Sequence, residues 1–170
     1  MIGSPARTEA ADYYFTYIDK AQTTDILGHL DSQTGQLIAF FAAITEDHSL
    51  HRYEPMKWSI REALNHINDT ERVFAFRAFW IGRGGEAPLP GFDQDPFAAA
   101  SGADARSWAE HVEEFRAIRA STMMLLRGLP AAAWNRIGTA SGNTVTTRAM
   151  VFMIAGHAEH HRRILIERYL

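Results

Sequence analysis

Apolar residues recur at helical spacing through four long stretches of the chain, and no stretch alternates convincingly at the period of a β-strand. The first covers about 24–45, where Ile26, Leu27, Leu30, Leu37, Ile38, Phe41 and Ile44 share a face. Thr24 or Asp25 stands where a cap is needed, and the polar run Glu46-Asp47-His48-Ser49 closes the stretch. The second opens on Ser59-Ile60-Arg61-Glu62, a capping box preceded by Trp58. It carries Ala63, Leu64, Ile67, Val73, Phe74, Ala78 and Ile81 and stops at Gly82-Arg83-Gly84-Gly85. Residues 87–96 follow, where three prolines and a glycine forbid continued helix. The third helix is expected over 104–127, with Trp108, Val112, Phe115, Ile118, Thr122 and Leu126 inward and Gly128 and Pro130 beyond its end. Residues 131–134 add a short helical turn, and 135–143, with Gly138 and Gly142, read as a loop. The last helix, capped by Thr144 or Thr146, carries Met150, Val151, Ile154, Ile164 and Leu165 to the end of the sequence.

Four amphipathic helices without strands predict an all-α protein, a four-helix bundle forming one domain over 1–170 with a loosely held segment at 1–12. The connection between the second and third helices is long enough to cross over the bundle, so simple up-down-up-down order is not required.

Composition narrows the chemistry. The 170 residues are 46% hydrophobic and 22% charged, ordinary globular usage. There is no cysteine, which excludes disulfides, thiolate metal sites and a cysteine nucleophile, whereas there are eight histidines. Any transition metal must be held by imidazole and carboxylate. A net charge of −3 with interspersed signs argues against a nucleic-acid partner. The longest apolar runs, 37–44 and 149–155, fall far short of the ~20 residues of a membrane span. The first residues lack the basic-then-apolar order of a signal peptide, so a cytoplasmic protein is expected.

The densest group of potential ligands is Gly156-His157-Ala158-Glu159-His160-His161-Arg162. Residues four apart lie one turn apart on one helix face, so His157 and His161 can converge on a single ion. Such pairs also arise by chance, and no glutamate directly follows the first histidine as a metalloprotease helix requires. His66, on a stripe with Ala63, Thr70 and Val73 at the edge of the apolar face, is the best third ligand. The alternative for it, more frequent on spacing alone, is a core-edge histidine bonded to a carbonyl. His160 lies one position off the chelating face. His29, His48, His51 and His111 fall on predicted helix surfaces or loops and carry no role. Asp69, Glu71 and Glu159 could orient an imidazole or act as a base, although helix carboxylates are most often simply solvated. Ser141-Gly142-Asn143 lacks the context of a nucleophile elbow, and Gly82-Arg83-Gly84-Gly85 neither follows a strand nor carries the lysine of a phosphate loop. The aromatic cluster Tyr13-Tyr14-Phe15-Tyr17 reads as packing.

Tyr53-Glu54-Pro55-Met56-Lys57-Trp58-Ser59 leading into Leu64-Asn65-His66-Ile67-Asn68-Asp69-Thr70-Glu71-Arg72, together with the last-helix histidine run, resembles the DinB/YfiT-like family over about 13–169. Pro88-Leu89-Pro90-Gly91-Phe92-Asp93-Gln94-Asp95 is similar to one branch of it, and Met56 departs from it, standing where many relatives have glycine. The resemblance implies a four-helix bundle, often a homodimer, in which His66, His157 and His161 hold a divalent metal, zinc or nickel. Catalytic residues beyond the metal are not assigned by it; Glu159, His160 and Asp69 are the candidates. It also implies a small-molecule substrate and points to a transferase using a low-molecular-weight thiol, since the family includes S-transferases that use bacillithiol, mycothiol or glutathione and a thiol-dependent maleylpyruvate isomerase. Two alternatives stand beside it: a non-catalytic metal-binding or dimerising stress-response protein, and a thiol-independent metal-dependent hydrolase. Residues 88–95 are expected at the rim of a substrate pocket. With no cysteine in the chain, the sulfur of a thiol-dependent reaction must arrive with a cosubstrate.

Overall fold

The computed structural model describes residues 1–170 and contains six α-helices: α1 (Phe15–Ile18), α2 (Ile26–Ala42), α3 (Ile60–Gly82), α4 (Gln94–Ala100), α5 (Trp108–Arg127) and α6 (Thr147–Arg168). The four long ones, α2, α3, α5 and α6, build the bundle. Helix α3 starts at the predicted box: Ser59 Oγ accepts from the Glu62 amide at 3.0 Å, and the Glu62 carboxylate accepts from the Ser59 amide at 2.8 Å. Helix α6 is capped by Thr146, whose hydroxyl accepts from the Ala149 amide. Asp25 precedes α2 but makes no capping bond.

Helix α3 packs against α5 and α6, and α2 packs against the same two, so α2 and α3 stand on opposite corners. The end of α3 meets the end of α5 and the start of α6, since Gly82 lies against Leu129 and Thr147. Helix α3 therefore runs parallel to α5 and antiparallel to α6. The connection from α3 to α5 must travel the length of the bundle, and it does: Asp104 accepts from Ser59 Oγ at 2.5 Å, and its carbonyl accepts from Arg61, back at the start of α3. This is the expected crossover.

Several local expectations need correction. Helix α5 begins at Trp108, not at residue 104, because Ser107 and Glu110 form a second capping box. Residues 94–100 are helical despite Pro96, which falls in the first turn, where no intrahelical N–H is needed. Residues 137–146 form a hairpin, β1 (Ile137–Ala140) and β2 (Asn143–Thr146), rather than loop. Its turn, Ser141-Gly142, has positive φ at both positions, which glycine admits freely and serine less so. Segment 1–12 is tied down rather than loosely held. Ser4 and Ile2 bond the backbone of Thr23 and Ile26, and Glu9 pairs with Arg148 on α6.

The core is split in two. One cluster contains Leu30, Phe74, Met123 and Ile154, the other Leu37, Ile67, Phe115 and Ala158. Between them each long helix contributes a buried polar residue: Gln33, Glu71, Arg119 and His157. Arg119 donates two 2.8 Å bonds to the Glu71 carboxylate and a third to Gln33 Oε1, while Gln33 Nε2 donates to the carbonyl of Ala155. The histidine run of α6 starts at this polar level.

Candidate metal centre

His66 sits on the second turn of α3 and looks across to α6, where His157 and His161 stand one turn apart. One nitrogen from each ring lies within 4.8 Å of the others. His66 Nε2 and His157 Nε2 are 3.1 Å apart. Two nitrogens bound to one tetrahedral ion at ~2.05 Å stand about 3.3 Å apart, so this spacing fits a shared ion. His66 and His157 are buried and His161 is partly exposed.

The electrostatics suit neutral donors. Burial, with the neighbouring His160 adding to it, pushes the His66 pKa down to about 4. Burial lowers His157 and His161 well below the ordinary value, and the charges of the other histidines add to the effect. All three imidazoles are thus deprotonated near neutral pH without help, the state that a metal ligand needs. An aromatic collar keeps the site apolar: Trp58 and Phe74 lie 4.9 and 5.8 Å from the rings of His66 and His157, and Tyr17 lies 5.3 Å from His157. With Nε2 of His66 turned to the cluster, its Nδ1 faces Thr70 Oγ1 at 3.4 Å, a long contact able to hold the ring's orientation.

Tyr17 is placed by a glycine. A Cβ on Gly156 would lie 2.0 Å from the Tyr17 carbonyl oxygen, so only glycine lets α1 approach α6 here. The packing expectation for the aromatic cluster holds for Tyr14 and Phe15, which are buried, but Tyr17 belongs to the site.

Two cavities reach the histidines. One, of about 380 Å3, is lined by His66, His157, Tyr17, Thr70, Phe74 and Arg77, with Phe92 and Gln94 from the connection. The other, of about 640 Å3, is lined by His161, Trp58, Tyr53, Ile164 and Tyr169, again with Gln94. Residues 88–95 thus contribute Phe92, Gln94 and Asp95 to their walls.

The other candidates lie elsewhere. Glu159 is clamped by Arg162 and Arg163 at 2.7 Å and borders a separate polar cavity with His29 and Lys20. Burial raises its pKa, but its bonds and charge interactions with the two arginines outweigh that and leave it lowered, which makes it a poor base. Asp69 accepts from Asn65 at 2.8 Å and pairs with Arg72, touching no histidine. His160 is half-buried between Tyr17 and His161, its ring 5.3 and 5.1 Å from theirs. Of the four histidines assigned to surfaces or loops, His111 is instead fully buried, its Nε2–H donating to the Ala103 carbonyl at 2.9 Å. Helix α5 turns this position toward the crossover, which covers it. Thr70, one turn from His66, and Arg77, three turns from it, share its face of α3, a spacing visible in the sequence. Nothing near Tyr17 announces its role, which depends on a glycine far along the chain.

No helix is long and apolar enough to cross a membrane. The model of the DinB superfamily matches residues 29–165. Among solved structures, the chain is similar to YfiT from Bacillus subtilis, described as a probable metal-dependent hydrolase with an unusual four-helix bundle topology. The match has a TM-score of 0.70 at 15% identity and covers 96% of this chain and 89% of that one. No curated protein is matched.

Proposed function

The chain belongs to the DinB superfamily, and from that premise we propose that it is a metal-dependent enzyme in which His66, His157 and His161 hold one divalent ion, zinc or nickel, and which transfers a group to or from a low-molecular-weight thiol. The observation that carries the transferase reading is the pair of cavities meeting at one set of histidines, which suits two substrates better than one. Three imidazoles leave at least one position open on such an ion, the pattern of a catalytic site. When bound, the ion supplies a positive charge that stabilises the anionic form of a thiol or water at that position. The protein's own groups do the rest. Buried neutral imidazoles compete for no proton, and Trp58, Phe74 and Tyr17 put apolar ring surface around them, which strengthens charge interactions at the site. Burial, reinforced by its bond to Tyr13, raises the pKa of the Tyr17 hydroxyl, so it remains a proton donor to a polar atom in the cavity.

A second reading, hydrolysis by an activated water, is favoured by the likeness to YfiT, itself described as a probable metal-dependent hydrolase. The two separate in one experiment. Protein stripped with chelator and reloaded with zinc or nickel is offered monochlorobimane with bacillithiol, mycothiol or glutathione, and in parallel p-nitrophenyl acetate without thiol. The transferase reading expects metal-dependent turnover that requires a thiol and disappears in His66→Ala. Ester cleavage without thiol favours the hydrolase. A fully loaded protein inert in both assays counts against either enzyme reading.

A further inference from the structure

Three arginines are buried: Arg61, Arg77 and Arg119. Arg61 reaches Glu46, and Arg119 is held by both oxygens of Glu71. Arg77, only 4% exposed, has no carboxylate. Its Nη2 donates to the Pro90 carbonyl at 2.7 Å and to Ser141 Oγ at 3.0 Å, both neutral acceptors, and both bonds use the same nitrogen of a five-donor group. The guanidinium remains charged at any physiological pH, and an uncompensated buried charge is costly. Two loop acceptors on one nitrogen do not account for the choice of arginine.

Arg77 lines the same cavity as His66 and His157. It lies eleven residues after His66 on α3, three turns and roughly 16 Å of helix rise along one face. Side chains on a helix lean toward its N-terminus, so the arginine reaches back toward the histidines. Phe74 and Phe92 line the space, while Ser141 and Asn143 accompany the charged end. The cavity therefore offers a cation at one end, apolar walls, and two of the three clustered histidines, His66 and His157, at the other.

We infer that Arg77 is the subsite for a carboxylate of the substrate, one whose reacting atom lies at the histidines and whose middle is apolar. A single unneutralised positive charge matches a monoanion such as a carboxylate rather than a dianionic phosphate. The inference rests on the proposed metal-centre reading only for which end reacts; the subsite stands without the metal.

The test uses metal-free wild-type protein and two probes of equal shape, 3-phenylpropionate and 3-phenylpropanamide, with affinities read by titration. The acid is expected to bind about tenfold tighter than the amide, and Arg77→Met to abolish that difference while leaving zinc loading at wild-type level. A purely structural arginine would lower the melting temperature of the variant without altering acid-over-amide selectivity. Equal binding of the two probes by wild type overturns the inference, as does uptake of neither at about 20 mM or a preference that survives Arg77→Met. Equal binding by wild type overturns the inference even if that variant fails to fold, and Arg77→Lys, which keeps the charge, is then expected to retain the preference for the acid. Competition by glutathione assigns the carboxylate to the thiol cosubstrate, and simultaneous binding assigns it to the other substrate. Loss of zinc binding from wild type would strike the metal-centre reading alone.

Discussion

Two backbone positions set the terms at the scale of single residues. Gly156 is indispensable because the Tyr17 carbonyl occupies the space of its Cβ. Gly156→Ala should destabilise the protein by about 2 kcal/mol, the cost of overpacking, and loosen Tyr17 from His157. Chemical denaturation reads the first effect and the fluorescence or exchange behaviour of the first twenty residues the second; an unchanged midpoint would contradict the account. Met56 is the converse case. It adopts φ 69° at full exposure, in the left-handed region where glycine is at home. Met56→Gly should be neutral to stabilising by up to ~1 kcal/mol, relief of backbone strain being offset by greater freedom in the unfolded chain. A clear loss in the denaturation midpoint would refute this. The clustering of His157 and His161 is legible in their spacing of four residues on α6, whereas His66 stands as the third member through the family resemblance, its spacing alone fitting a core-edge histidine as well. Tyr17 is not legible, since its role depends on a glycine distant in sequence, and the spacing that puts Arg77 on the face of His66 does not reveal the loop partners it meets.

Each long helix contributes to both apolar clusters, and Gln33, Glu71, Arg119 and His157 meet at the polar level between them, which holds the elements in register. The Glu71–Arg119 pair is almost wholly buried. Removing one partner leaves a buried charge unpaired, so Glu71→Leu or Arg119→Met alone should cost about 3–5 kcal/mol, whereas the two changes together should cost much less. A double-mutant cycle checks this, and additivity of the single losses would contradict it. Helix positions are readable from periodicity and from the Ser59–Glu62 box. The start of α5 at Ser107, the short α4 and the hairpin are not, because a proline in a first turn and a short hairpin leave weak local patterns, and the hairpin is supported by a bridge from Leu89 to Ala140 that no local reading contains.

At the scale of the whole molecule, the fold holds several histidines in settings that favour their uncharged form. His66, His111, His157 and His161 all have pKa values lowered, first by burial. A folded-state pKa below the unfolded value of 6.5 means that the unfolded chain takes up protons first as pH falls. The stabilisation is complete above that value and drains away toward the folded pKa, about 4 for His66. Each group loses ~1.4 kcal/mol for every pH unit that separates its folded from its unfolded pKa. The metal-free protein should therefore lose stability steeply between about pH 6.5 and 4, and urea midpoints that stay flat across this window would count against buried neutral histidines. The bundle and its crossover are evident from four amphipathic stretches and one long connection. That the core divides into two blocks with the histidines beside the seam emerges only when the helices are assembled.

Metal content per chain tests the central claim most directly. Protein purified without chelator, loaded with zinc or nickel and dialysed, is expected to retain about one ion per chain, with the double change His157→Ala, His161→Ala and the single change His66→Ala each abolishing retention while the helical circular-dichroism signal persists. Wild-type protein that emerges empty, or variants that keep the ion, would contradict the account.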